Sequence, residues 1–136
     1  MRNRRERNGF TLVEMMVVIL IVGILAAIAV PILRGKNEAS KWSEAAVTAG
    51  TIRTAVRSEF AKDPATVGAW NGQAVTGVMV TLGFKAGDLT GRYFDDTNFT
   101  VASVDVNGNA TITVTAPAGL TGSGQLDNAN GWVYTP

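Results

Sequence analysis

From Met15 to Leu33 the chain runs 19 residues without a charge (MMVVILIVGILAAIAVPIL), and the residue just before that run is Glu14. As a helix rising 1.5 Å per residue, such a run spans roughly 28 Å, close to the thickness of a bilayer's hydrocarbon core. The segment therefore belongs in lipid or in an equally apolar setting. Ahead of it, Arg2, Arg4, Arg5 and Arg7 stand against Glu6. Short basic arms before an apolar segment stay cytoplasmic, so residues beyond Leu33 are expected outside the cytoplasm.

With 136 residues, the chain has room for one membrane-attached domain of about 100 residues. It contains no His and no Cys. That excludes His-based triads, Cys nucleophiles, His or Cys zinc sites and a disulfide framework, and with them most familiar enzyme chemistry. The formal net charge of +1 hides an asymmetry, because the first nine residues carry +3 and the remainder −2.

After the apolar run, Trp42, Ala45, Ala49, Ile52, Val56 and Phe60 recur at spacings of three and four, while Lys41, Glu44, Arg53 and Arg57 point in other directions. The spacing predicts one helix from near Phe10 to near Lys62, bent or interrupted around Gly23, Pro31 and Gly35. Pro31 removes a donor and crowds the Ala27 carbonyl, which marks it as the expected kink. Asp63-Pro64 is expected to end the helix.

Beyond Pro64 the composition shifts: 11 of the 15 glycines lie between Gly68 and Gly131, amid Thr, Val and Asn. Strands are expected over Gly77 to Leu82, Phe99 to Val106 and Ala110 to Thr115, with Asn107-Gly108 as a type I′ hairpin turn. Residues 116–131 read as a loop of small residues, followed by a short final strand over Trp132 to Tyr134. The helix is expected to pack on this sheet through Val101, Ile112 and Val114, with Trp70 left as a surface or interface aromatic.

The junction Arg7-Asn8-Gly9-Phe10-Thr11-Leu12-Val13-Glu14 places a single carboxylate at the start of the uncharged run. Charged groups inside a bilayer cost about 2.5 to 3.5 kcal/mol at its centre and less towards its edge, so such an acid needs a partner. A cut between Gly9 and Phe10 creates one, a new α-amino group about one helical turn from Glu14. In a bundle of parallel helices that amine can reach Glu14 of a neighbour, with neutralisation rewarded in apolar surroundings.

The stretch Gly9-Phe10-Thr11-Leu12-Val13-Glu14, followed by the long apolar helix with Pro31, resembles the N-terminal signature of type IV pilins and the related type II secretion pseudopilins. The resemblance covers residues 1 to about 35. It implies an α+β fold, a long N-terminal helix packed on a small antiparallel sheet, and no enzymatic activity. It also implies that a membrane prepilin peptidase cuts after Gly9 and methylates the Phe10 amine, and that Glu14 guides assembly into a helical filament. The organisation expected is a cleaved basic leader (1–9), an apolar transmembrane and assembly helix (10–33) and an extracytoplasmic head (34–136), comprising an amphipathic helix (34–62) and a sheet region (63–136). The partners implied are copies of the chain in a filament, the prepilin peptidase, inner-membrane assembly machinery, and the membrane itself before assembly. The filament would be an extracellular pilus or a periplasmic pseudopilus.

Two competing readings set the first against ordinary secretion and plain anchoring. Ala27-Ile28-Ala29 imitates a signal-peptidase site that would release a soluble binding domain, but Glu14 interrupts the start of the apolar region. A plain anchor leaves the Gly-Phe-Thr-Leu-Val-Glu stretch unexplained. Asp105-Val106-Asn107-Gly108-Asn109 imitates a calcium loop, yet Gly falls at the fourth position and Ala116 at the twelfth, so no metal or other cofactor is expected there. Asp95-Asp96 and Asp127 to Gly131 have more claim to be calcium-stabilised loops, but both read better as solvated turns. Arg53 and Arg57 lie one turn apart, but the net charge of −2 argues against a nucleic-acid partner and for a solvated or subunit-contacting face. Lacking a cysteine pair, residues 116–131 must be held by packing, an ion or neighbours.

Overall fold

A computed structural model describes residues 9–136, so the expected arginine arm lies outside the described residues. Helix α1 (Leu12–Phe60) is followed by α2 (Pro64–Gly68), β1 (Gln73–Ala74), α3 (Val75–Val78), a 3₁₀ turn (Asp96–Asn98), and strands β2 (Phe99–Val104), β3 (Ala110–Thr115), β4 (Ser123–Asp127) and β5 (Gly131–Thr135). The chain divides into two compact units, one ending at Lys36 and one comprising Asn37–Pro136. Both contain part of α1.

In the first unit the helix is apolar on every side. Each large apolar side chain from Phe10 to Leu33 is exposed, from 44% at Met15 to 77% at Leu12. Pro31 lies inside the helix, with no break in the helical run.

The second unit is α+β. Its antiparallel sheet has the order β1-β2-β3-β4-β5, an uninterrupted meander of five strands where three to four were expected. Trp42, Ala45, Ala49, Ile52 and Val56 of α1 are all buried, as their spacing predicts, and share one core with Phe99, Val101, Ile112 and Val114 of the sheet. The residues opposite them on the strands alternate outward, as in β3, where Thr111, Thr113 and Thr115 point away from that core.

Four sequence expectations need correction. Gly77 to Leu82 is not a strand: Val75, Val78, Met79 and Leu82 are buried at spacings of three, one and three, a helical stripe that forms α3 and the turn after it. The β2–β3 connection is not a type I′ turn, because among the described residues, Asn107 included, no non-glycine residue has positive φ. Instead Gly108 N–H donates to the Asp105 carbonyl, Gly108 alone turns left-handed at φ 78°, and Asp105 N–H donates to the Asn109 carbonyl. That is a three-residue loop with a glycine bulge. Residues 116–131 are not all loop, since β4 lies within them. Trp70 is buried at 5% exposure rather than presented on the surface.

Asp63-Pro64 does less to end α1 than to begin α2. The Asp63 carboxylate accepts from the N–H groups of Ala65 and Thr66, with Pro64 at the start of the new helix.

Three side chains of α1 hold the region that lacks a disulfide. Glu38 accepts from Thr121 Oγ1 at 3.2 Å, Trp42 Nε1 donates to the Thr121 carbonyl at 3.2 Å, and Arg53 grips the β4–β5 turn. The Trp42 ring also packs against Phe94 (5.0 Å between centroids), Tyr134 (5.1 Å) and Trp132 (6.4 Å). Packing and hydrogen bonds within the chain thus take the place of a covalent staple.

Candidate functional site

The junction of Gly9 to Glu14 is built locally. Thr11 stands immediately before α1, and its Oγ1 accepts from the Glu14 backbone N–H at 3.2 Å, while the Thr11 carbonyl accepts from Met15 N–H at 3.2 Å. This is N-cap geometry, satisfying one of the donors that every helix start leaves open. The Thr-x-x-Glu spacing was a capping signal in the sequence that went unread there. It fixes the helix start two residues after Phe10 and puts Glu14 in the first turn. There the helix dipole favours a negative charge by about 0.3 to 1 kcal/mol.

Phe10 is 75% exposed, and Gly9 has open space where a Cβ would stand. Gly9, Phe10, Thr11 and Glu14 therefore form one exposed cluster at the head of an exposed apolar helix. Pro31 is five turns further along α1 and takes no part in this cluster.

Glu14 differs from every other described carboxylate. The remaining nine each accept a hydrogen bond from elsewhere in the chain. Among the described residues, the Glu14 carboxylate alone accepts none. The acids of the second unit are consumed by the fold: Glu44 caps the N–H groups of Tyr93 and Phe94, and Asp96 those of Gly87 and Leu89. Asp95-Asp96 and the Asp127 turn, read as candidate solvated turns, turn out to be fasteners as well. Asp95 closes a capping box with Asn98, and Asp127 accepts from the N–H groups of Ala129 and Asn130.

Arg53 is likewise an internal fastener. It and Arg57 do line a groove of about 440 Å³ with Gly50, Thr54 and Leu126, but both nitrogens of the Arg53 fork are already engaged by the β4–β5 turn. Among the described residues, no group of three or more Asp or Glu side chains is arranged to hold a metal ion.

Comparison with known proteins agrees with this geometry. Residues 4–30 match the family described as the prokaryotic N-terminal methylation motif. The fimbrial protein EcpC of Eikenella corrodens is 36% identical over 112 residues, 82% of this chain and 65% of that protein. The type IV major pilin protein PilA of Myxococcus xanthus is 47% identical over 60 residues, 44% of this chain and 27% of that protein. The type IV major pilin protein PilE1 of Neisseria gonorrhoeae is 36% identical over 87 residues, 64% of this chain and 37% of that protein. The chain thus spans between about a quarter and two thirds of the length of these curated relatives. No solved structure matches it. A methylation motif, a capped and wholly exposed apolar helix, and an antiparallel sheet packed on the same helix define a pilin-like subunit. The chain carries the N-terminal methylation motif and resembles the type IV pilins.

Proposed function

We propose that the chain is a structural subunit that polymerises into a type IV pilus filament after a prepilin peptidase removes residues 1–9 and methylates the Phe10 amine. The observation that carries this reading is the Glu14 carboxylate: exposed, without a hydrogen-bond or ion-pair partner among the described residues, and one turn from the amine that cleavage would create. In a bundle of like helices it pairs with the amine of a neighbouring Phe10.

The energetics favour such a transfer. Before processing, the bilayer covers the apolar helix; afterwards other copies of that helix cover it, so little hydrophobic energy is lost. Specificity then rests on Glu14 and the Phe10 amine, and Pro31 supplies a bend that lets helices of neighbouring subunits nest. The work of extraction comes from inner-membrane machinery. The major-pilin names of the relatives support a surface pilus over a periplasmic pseudopilus.

The test is to express Glu14→Ala and Glu14→Gln as sole copies and weigh filaments sheared from the cells. Both variants should be processed and remain in the membrane while the filament fraction falls to near background. Normal filament yield from Glu14→Gln would overturn charge pairing, because glutamine keeps the shape and loses the charge.

A further inference from the structure

We propose that Arg34 and Lys36 form a docking collar for lipid phosphates of the outer leaflet, setting the depth at which the subunit rests in the bilayer before assembly. The proposal rests on the reading that Met15–Leu33 spans the membrane.

Arg34 follows the last residue of the apolar run, and Lys36 comes two residues later, both exposed on α1. Among the described residues neither side chain makes a hydrogen bond or an ion pair, and the single ion pair found is Lys62 with Glu59. The next carboxylate along the chain, Glu38, is turned to Thr121 Oγ1. Lys41, the following cation, lies 5.3 Å from the centre of the Tyr93 ring. Two cations are thus left without an anion at the level where the hydrocarbon ends.

Their angular placement identifies the anion. At 3.6 residues per turn, positions i and i+2 stand roughly 200° apart, on opposite sides of the helix. A single bound anion cannot touch both. A layer of phosphates surrounding the helix can, and long basic side chains reach such a layer with their stems still on apolar surface.

Membrane orientation gives a second argument. Basic residues beside a membrane segment favour the cytoplasmic side, so Arg34 and Lys36 on the outer flank oppose the orientation that Arg2, Arg4, Arg5 and Arg7 impose. Placement against that preference calls for a compensating contact, and outer-leaflet phosphates supply it.

Gly35 provides the probe. It lies between the two cations with open space where a Cβ would stand, and the chain contains no cysteine. The full chain carrying Gly35→Cys is labelled with an environment-sensitive dye and placed in phosphatidylcholine vesicles with or without phosphatidylglycerol. Acrylamide quenching should fall by about twofold when phosphatidylglycerol is present, and added salt should remove the difference. Adding Arg34→Gln and Lys36→Gln should abolish the dependence on lipid composition.

Equal quenching before and after that double substitution would overturn the proposal. So would equal protection by inorganic phosphate added to phosphatidylcholine vesicles, which would indicate a free-anion site instead. A parallel probe at Val22→Cys separates the two levels of the argument. If it is protected, the helix spans and the test at position 35 stands alone; if it is as open to acrylamide as position 35, the spanning reading fails and takes the collar with it.

Discussion

Arg53 Nη1 donates to the Asp127 carbonyl at 3.1 Å while its Nη2 donates to Asn128 Oδ1 at 2.9 Å, so one guanidinium fork ties α1 to the turn between β4 and β5. Hydrogen bonds from a charged donor are worth more than neutral ones, but this site is partly open to water. Arg53→Ala should therefore cost about 1 to 2 kcal/mol. Lys at this position keeps the charge and loses the fork, so it should recover less than half of the loss. Urea unfolding of the full chain in detergent micelles, followed by tryptophan fluorescence, measures both. All three tryptophans lie beyond Lys36, so the signal reports the head alone.

Glu44 and Gly91 should prove energetically coupled. The Glu44 carboxylate accepts from Tyr93 N–H at 2.9 Å and Phe94 N–H at 3.2 Å, and a Cβ on Gly91 would stand against its Oε1. Gly91→Ala forces the carboxylate off those amides and should cost about 1 to 2 kcal/mol. In a Glu44→Ala background the same substitution should cost clearly less. Additive losses in that double-mutant cycle would contradict the coupling.

Gly108 is restricted twice over. Its φ of 78° suits glycine, and an added Cβ would meet Phe60 Cδ1 at 2.5 Å. Gly108→Ala should destabilise the head by about 1 to 3 kcal/mol, with the larger share from backbone strain. Gly119, at φ 85° with open space around it, isolates the strain part: Gly119→Ala should cost less than Gly108→Ala in the same urea assay.

The head should lose stability in acid. Hydrogen bonds hold four carboxyl groups below the ordinary value of 3.8: the Thr66 hydroxyl at Asp63, the Thr97 hydroxyl at Asp95, the Asn109 amide at Asp105 and the Asn130 backbone N–H at Asp127. A carboxyl whose folded value lies below its unfolded value adds stability that is complete above 3.8 and lost as pH falls through the folded value. The urea midpoint should therefore drop once the pH goes below about 4. Asp127→Asn should lower the midpoint at neutral pH and flatten the acid limb. An acid limb unchanged by that substitution would contradict the assignment.

What the sequence revealed follows from how far each pattern reaches along the chain. The α1 face of Trp42, Ala45, Ala49, Ile52 and Val56 repeats over four turns, and β3 alternates over its whole length, so both were legible. Strand β4 was not, because Ser-Gly-Gln-Leu-Asp has weak strand character and owes its place to packing. Position 124 is glycine because the rings of Trp132 and Trp42 lie where a Cβ would point. Trp42 is about 80 residues away, a contact that no local pattern announces. Helix α3 misled in the opposite way: a window opening at Gly77 cuts off Val75, the first buried residue of the helical stripe, and leaves a short apolar segment that reads as a strand. At the candidate site Glu14 was legible as an isolated charge. That it is the one described acid left over when the fold has used the rest emerged only from the hydrogen bonds.

Processing at Phe10 is read out by the intact mass and N-terminal sequence of the protein recovered from its native cell. A prepilin-type precursor yields a chain that begins at Phe10 with a methylated amine. A chain beginning at Val30 would make the apolar run an ordinary signal peptide, and an unprocessed Met1 would leave a plain membrane anchor; either result would rule out prepilin-type processing.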